Sequence, residues 1–483
     1  MILDTDTAVT GPTLDELFRR AGVRSPDALA LCDPPNRESF TDGAPRNLSY
    51  AEADRAISAL AARLHALGLK TDAVIAVQLP NIVENVIALL AVLRAGMIAA
   101  PMPLLWRQQE IVAALRGIGA RAIIACGRAG SEQPAKSAML AAAELFPIRQ
   151  VCAFGSDLPD GAVPLDDIFT HWDDLVHAAA RPGSAAAHVG SVTFDVTAAG
   201  VVPIARNAAQ LIAGGRAVAL EAQIAQGATI LSTIPPSSFA GIAVSVVPWL
   251  LGGGTLALHH GCDLKALDAQ SQAFPGATLM MPGPALAPLA EAGRLLTFKT
   301  VAALWRAPER LAAGMPWYQQ AALIDVAAFG ELGVVAGKRD ASGKPAPISL
   351  GAIGTGIETA RTRAGILALR GPMVPTRTFP SAEPLSSETF LDTGFTCARD
   401  GEHLAVTGPP AGVTAVGGYC FGQAALDTML ADIDDAATVM AVPDALLGQR
   451  LAGRCADPQA TIAGLQARGV NPLITGAFDR QVA

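Results

Sequence analysis

From residue 222 to residue 262 the chain carries no Asp, Glu, Lys or Arg. Such a stretch has two homes, a membrane or a large protein core, because isolated ionised side chains are costly in both. Pro235, Pro236, Pro248 and the glycines at 252–254 cut it into pieces too short to cross a bilayer as one helix. It is therefore read as buried strand, loop and helix, with no membrane span. With 483 residues, 51% of them apolar and 16% charged, the chain has enough material to cover such a segment and to form two or three domains.

The surrounding pattern names the kind of core. Residues 13–21 place Leu14, Leu17 and Phe18 on one helical face. Ser49 is an N-cap for a helix over 50–67, with Glu52 placed for a capping box and Gly68 as the stop. Short apolar strands at 73–78, 97–101 and 120–125 alternate with helices at 81–95 and 108–117. The alternation resumes with a helix at 208–226, a strand at 229–232, a helix at 239–251 and a strand at 255–258. Strand–helix–strand units at this spacing imply parallel sheets covered by helices. Beyond residue 365 short strands and turns take over, followed by a late helix at 424–433.

A net charge of −8 without a basic cluster argues against a nucleic-acid partner. Seven scattered cysteines, with no CxxC or Cys/His spacing, indicate reduced thiols and no zinc site. The first residues lack the basic and apolar regions of a signal peptide, so a cytoplasmic location is expected. His259 and His260 are adjacent, and on a strand they would face opposite ways, which disfavours joint metal ligation.

Several segments, in order, resemble the adenylate-forming superfamily of acyl-CoA synthetases, luciferases and peptide-synthetase adenylation domains. They are LSYAE at 48–52, QLPN at 78–81 with ALLAVLRAG at 88–96, PMP at 101–103, and PPSSFAG at 235–241 with PWLLGGGT at 248–255. Further on come GILALRGP at 365–372, LDTG at 391–394, DGEHL at 400–404, VTG at 406–408, GG at 417–418 and AVPD at 441–444 with LGQ at 447–449. The resemblance implies an α/β fold: layered parallel and mixed sheets with helices in a large N-terminal domain over 1–408. A small β-rich subdomain spans about 345–408, and a small, truncated α+β C-terminal domain spans 409–483. Members join a carboxylate to ATP, release pyrophosphate, and pass the acyl group to a thiol such as coenzyme A.

The resemblance also says where ATP chemistry would sit, and these positions depart from the pattern. The loop that surrounds the phosphates in the family matches FDVTAAGVVP at 194–203, where Thr197 and Gly200 are the survivors. No lysine lies between Lys136 and Lys265, and Asp195 sets an anion where phosphates would approach. A strand followed by a tight turn is the simpler reading there. The adenine and magnesium motif matches AAFGE at 327–331: Glu331 keeps the carboxylate, while Ala327 stands where an aromatic is expected. Glu331 reads more simply as a solvated loop residue at a strand end than as a ligand. Phe395 replaces the ribose-binding aspartate and reads as a core or gate residue, and neither Asp392 nor Asp400 obviously substitutes. The hinge matches GPPAG at 408–412, whose prolines stiffen it. The last lysine is Lys344, so the family's C-terminal lysine is unmatched; Arg480 is nearby, read as a solvated charge. Ser238 stands where many members have a histidine.

Two functional readings follow, with a third weaker one. The first is a noncatalytic binding or scaffolding protein, with no cofactor, that keeps a pocket for an acyl or aromatic carboxylate or an acyl-CoA. Ser238, Phe239, Gly241, Ala327 and Phe329 would line it, and a partner enzyme or a carrier protein would work with it. The second is an active acid–thiol ligase using ATP, Mg2+ and CoA through a rebuilt site, with arginines such as Arg206 or Arg370 supplying charge near Glu331. The third is thioester hydrolysis or acyl transfer, for which no Ser/His/Asp order is visible. A homodimer would be unsurprising.

Overall fold

The computed structural model describes residues 11–171, 186–313, 317, 320–340, 342–354, 356–381, 385 and 389–479. Arg480 lies outside them.

The alternation of strands and helices produces two large sheets. In the first, seven strands run in the order Val163–Pro164, Gln150–Phe154, Ala122–Cys126, Val74–Val77, Ile98–Pro101, Val189–Thr197 and Gly200–Asn207. Its first six strands are mutually parallel and the last pair is antiparallel. The second sheet has eight strands: Gly333–Lys338, Ala322–Phe329, Thr300–Trp305, Thr278–Pro282, Ile230–Ser232, Leu256–Leu258, Leu29–Cys32 and Asn47–Ser49. A six-stranded antiparallel sheet gathers the strands from Ile348–Ser349 to His403–Gly408. Two hairpins, Val413–Val416 with Tyr419–Gly422 and Thr438–Asp444 with Gly448–Arg454, follow it, and buried side chains between Val416 and Phe478 form a separate apolar cluster in this small C-terminal part.

The charge-free segment lies at the centre of the eight-stranded sheet and its helical cover. Strands Ile230–Ser232 and Leu256–Leu258 pair parallel, and the helical stretch Phe239–Gly241, Ile242–Val246 and Val247–Gly252 between them is buried along almost its whole length. No helix among the described residues is long and apolar enough to cross a membrane. The middle of the stretch is a π-helical turn ahead of Pro248. That wider turn accommodates a residue with no N–H to donate and a ring that would clash with a normal helical carbonyl. Trp249 packs against Phe18 and Tyr50, with ring centroids 5.9 and 6.1 Å away. Its indole N–H and the Tyr50 hydroxyl both donate to the Gly254 carbonyl, at 2.9 and 2.8 Å, so both aromatic polar atoms are satisfied inside the core.

The helical starts follow the local signals. Thr13 with Glu16, Ser49 with Glu52 and Asn207 with Gln210 each form a capping box. The helix Ala208–Glu221 ends before the expected residue 226, and Gln223 there adopts a positive φ of 50°.

That helix crosses the buried helical stretch at Gly214 and Gly215. A Cβ on Gly215 would lie 2.3 Å from the Val247 side chain, and one on Gly214 would lie 2.5 Å from Phe239. Helix propensity alone favours alanine over glycine by roughly 0.5–1 kcal/mol. Overpacking in a closed core costs about 1–3 kcal/mol, so the clash decides the sign. Gly215→Ala is expected to lower unfolding free energy by about 1–2 kcal/mol in denaturant titration; an unchanged or raised midpoint would refute the close crossing.

Candidate functional site

The segment that matches the family phosphate loop is a regular hairpin. Strands Val189–Thr197 and Gly200–Asn207 pair antiparallel, from Val189 opposite Asn207 to Thr197 opposite Gly200, with Ala198 and Ala199 as the turn. Gly200 takes φ +118°, which a side chain would resist. The Thr197 hydroxyl donates to the Gly200 carbonyl at 3.0 Å and accepts from the Ala199 N–H at 3.2 Å. Its hydrogen-bonding capacity is used inside the turn.

Beneath the hairpin is a cluster of charges. Arg206, fully buried on the second strand, donates to the Thr193 hydroxyl at 2.9 Å and to the Glu331 carbonyl, and its guanidinium carbon lies 4.0 Å over the Phe239 ring. Burial holds its pKa down at about 10, with Glu331 and Asp195 opposing that fall. Glu331 is 3% exposed. One carboxylate oxygen accepts from the Phe239 N–H at 2.7 Å; the other lies 3.9 Å from Arg306, which also donates to the Ser238 hydroxyl. The expectation of a solvated loop residue is thereby corrected: the strand Ala322–Phe329 ends beneath the buried helix, and the helical N–H at Phe239 draws the carboxylate inward.

Asp195 completes the cluster from the hairpin side. Its carboxylate accepts from the Val196 N–H at 3.0 Å and from the Glu331 N–H. A Cβ at Gly330 would come within 2.8 Å of it, so glycine, here at φ +56°, permits the approach. Burial first, and the neighbouring Glu331 second, push its pKa up to about 6, against the backbone donors and Arg206.

Above the cluster opens a cavity of about 1600 Å³. The hairpin contributes Asp195 and Thr197, the loop after Trp305 contributes Arg306 and Glu309, the six-stranded sheet contributes Arg361, Arg363, Asp392 and Phe395, and the small unit contributes Pro409, Pro410 and Cys420. Phe395 is 5% exposed and meets Phe329 edge-on at 5.5 Å, so the residue at the expected ribose position is an apolar wall. Asp392 turns back to accept from the Gly394 N–H at 2.7 Å.

The structure brings Thr197, Gly200, Glu331 and Phe395 to one end of the sheets, with Thr197 and Phe395 in the cavity wall. Ser238, Phe239, Gly241, Ala327 and Phe329 are instead packed in the core and do not line the large cavity. The space between the helix at Ser238 and the strand to Glu331 is filled by the Arg206 guanidinium on Phe239, and a Cβ on Gly241 would strike the Pro235 carbonyl at 2.2 Å. Ala327 faces a smaller cavity of about 240 Å³ with Asp325 and Ile348. Arg370 pairs with Glu358 and lies 4.6 Å over Phe390, away from Glu331. His259 bonds Gln270 at 2.8 Å, His260 lies against Phe40 at 4.5 Å, and no group of metal ligands occurs among the described residues. Sequence reasoning missed Arg306 and Glu309. Arg306 directly follows strand Thr300–Trp305 and Glu309 lies in the 3-10 helix Pro308–Ala313; neither belongs to a motif, and only tertiary folding brings them to the site.

A carboxyl whose pKa rises on folding stabilises the native state below its unfolded pKa of 3.8, and that contribution is lost as pH rises through about 6. Asn cannot ionise. Asp195→Asn is therefore expected to be near-neutral at pH 4 and to stabilise the protein at pH 8 by on the order of 1–3 kcal/mol. Thermal melts at both pH values check this; equal effects at the two would show that Asp195 titrates normally.

The AMP-binding enzyme family matches residues 18–174, ending ahead of the hairpin. A salicyl-AMP ligase / salicyl-S-ArCP synthetase of Mycobacterium tuberculosis is 40% identical over 89 residues, 18% of this chain and 15% of that protein. Tyrocidine synthase 1 of Brevibacillus parabrevis is 33% identical over 101 residues, 21% of this chain and 8% of that protein. The matches thus span a small part of these relatives' length. Over nearly the whole chain the fold is shared with apo MbtA of Mycobacterium smegmatis, at TM-score 0.66 and 20% identity over 96% of this chain and 90% of that one. It is shared also with an o-succinylbenzoate CoA synthetase (MenE) of Bacillus subtilis, at TM-score 0.72 and 14% identity over 95% and 93%. The ordered motifs and the family match over residues 18–174 make the chain similar to adenylate-forming, AMP-binding enzymes, and nearly its whole length shares the fold of these solved structures.

Proposed function

We propose that this chain is a noncatalytic member of the adenylate-forming superfamily that binds an acyl or aromatic carboxylate, or the corresponding thioester, without ATP. The observation that carries the reading is the hairpin at the phosphate-loop position. A phosphate cradle needs free N–H and hydroxyl donors and a nearby cation. Here the Thr197 hydroxyl and the Ala199 N–H bond within the turn, and the charged side chain that the first strand brings to the cavity wall is the Asp195 carboxylate. The residues present do not fit a triphosphate, and Phe395 offers no acceptor to a ribose.

The ligand class rests on the relatives and on the cavity. The salicyl-AMP ligase names an aromatic acid, and an adenylation–PCP didomain of Klebsiella oxytoca shares the fold at TM-score 0.72 and 15% identity over 96% of this chain and 93% of that one. A carrier protein or a partner enzyme of acyl metabolism is accordingly the natural associate. Apolar Phe390, Leu391 and Phe395 beside Arg361 and Arg363 suit an aromatic or acyl body with an acidic end. All seven cysteines are free, in keeping with a reducing compartment such as the cytoplasm.

One feature favours the active-ligase reading: Arg306, Arg361 and Arg363 all reach the cavity and could supply cations from new directions. Arg206 is not among these lining residues, and Arg370 pairs elsewhere. Isothermal titration with MgATP, and separately with a panel of aromatic and aliphatic carboxylates and acyl-CoAs, separates the two. Heat from an acyl ligand with silence toward MgATP is expected. Micromolar MgATP binding, or pyrophosphate release that depends on a carboxylate, would replace the first reading with the second.

A further inference from the structure

The strand Ala322–Phe329 forms part of the large cavity's wall, and a second cavity of about 240 Å³ adjoins the same strand from its other face. Neighbouring residues on a strand point to opposite faces: here Ala328 lines the large cavity and Ala327 the small one. The 3-10 helix Pro308–Ala313 borders both as well, with Glu309 in the large cavity and Leu311 in the small one. The two are separate spaces that share a wall.

The lining of the small cavity suits an apolar body. Leu311, Ala327, Val335, Ile348 and Ile353 present apolar side chains to it. Asp325, the buried charge in its wall, is already matched, because its carboxylate accepts from Arg339 at 2.7 and 3.1 Å and from the Trp305 indole N–H at 2.9 Å. The loop through Ala346 and Ile348 can close against the strand Gly333–Lys338 because residue 337 is glycine; a Cβ there would lie 2.7 Å from the Ala346 Cβ. An apolar cavity of about 150 Å³ accepts benzene, so the space here takes one ring and a short substituent.

The rim selects the substituent. Glu221 ends the helix Ala208–Glu221 and Lys338 ends the strand Gly333–Lys338, and the two bring opposite charges to the cavity. Neither makes an ion pair among the described residues. A carboxylate gains from Lys338 and loses against Glu221, and an ammonium does the reverse. A primary amide satisfies both, its carbonyl accepting from the lysine and its N–H donating to the glutamate.

We propose that this smaller cavity is a second binding site, for a one-ring apolar molecule that carries a primary carboxamide. The ring lies among Leu311, Val335 and Ile348, and the amide reaches the rim between Glu221 and Lys338. The site is independent of what occupies the large cavity and of whether ATP is used.

Ligand-observed saturation-transfer NMR of the whole protein with benzamide, benzoate and benzylamine tests it. Benzamide is expected to give a saturable signal, and its affinity to fall at least tenfold in Ala346→Phe, which fills the cavity from the loop. Ala327→Phe, which fills it from the strand, should do the same, and either variant suffices if circular dichroism shows the other unfolded. Lys338→Met, at an exposed position, is expected to weaken benzamide threefold or more. No saturable benzamide signal in the unmodified protein, or unchanged affinity in a folded filled variant, would overturn the site. Unchanged affinity in Lys338→Met would overturn the amide, as would benzoate or benzylamine binding more tightly than benzamide and losing that affinity in the filled variants. Benzoate bound in the large cavity is untouched by Ala346→Phe, so either result leaves the aromatic-carboxylate reading to its own test.

Discussion

A guanidinium with no access to water organises the centre of this protein. Arg206 joins the hairpin to the end of the strand Ala322–Phe329 through Thr193 and the Glu331 carbonyl, and it lies on Phe239 of the buried helical stretch. A buried cation of this kind is costly unless its partners are held in place, and breaking such a set strands the remaining charges. Its Nε has no hydrogen-bond partner among the described residues, so the compensation comes from the other two nitrogens, the aromatic face and the field of Glu331 and Asp195. The arrangement therefore constrains three elements at once: both sheets and the helix between them.

The same cluster shapes the cavity above it. Because Glu331 is drawn under the Phe239 N–H and balanced by Arg206 and Arg306, it is a structural anchor with little reach into the open space. Asp195 stands one layer higher, close enough to Glu331 for the two carboxylates to raise the cost of ionising the first. An anionic group is disfavoured beside Asp195, whereas Arg306, Arg361 and Arg363 bring positive charge to other parts of the wall.

Much of the architecture is legible in the residues because it rests on local patterns. The capping box at Ser49 and the apolar strands at 74–77 and 122–126 are short-range signals that tertiary contacts reinforced. The charge-free segment was bound to be core once its prolines and glycines excluded a continuous span. The residues at 198–200 announce a turn rather than a cradle, since no lysine is near and Thr197 is the one hydroxyl in the segment.

What the sequence by itself determined, then, is the parallel α/β frame, the superfamily resemblance and the departures from its nucleotide motifs, all of which depend on neighbours within a few positions. Only the tertiary structure decided that Glu331 is buried, that the expected pocket between Ser238 and Phe329 is filled by Arg206, and that the open space lies instead between the hairpin, the six-stranded sheet and the small unit. Arg206 and Glu331 are 125 positions apart, and Arg306 and Ser238 are 68 apart. Burial and charge pairing over such separations are set by how sheets and helices pack, and a residue's chemical type alone leaves its environment open.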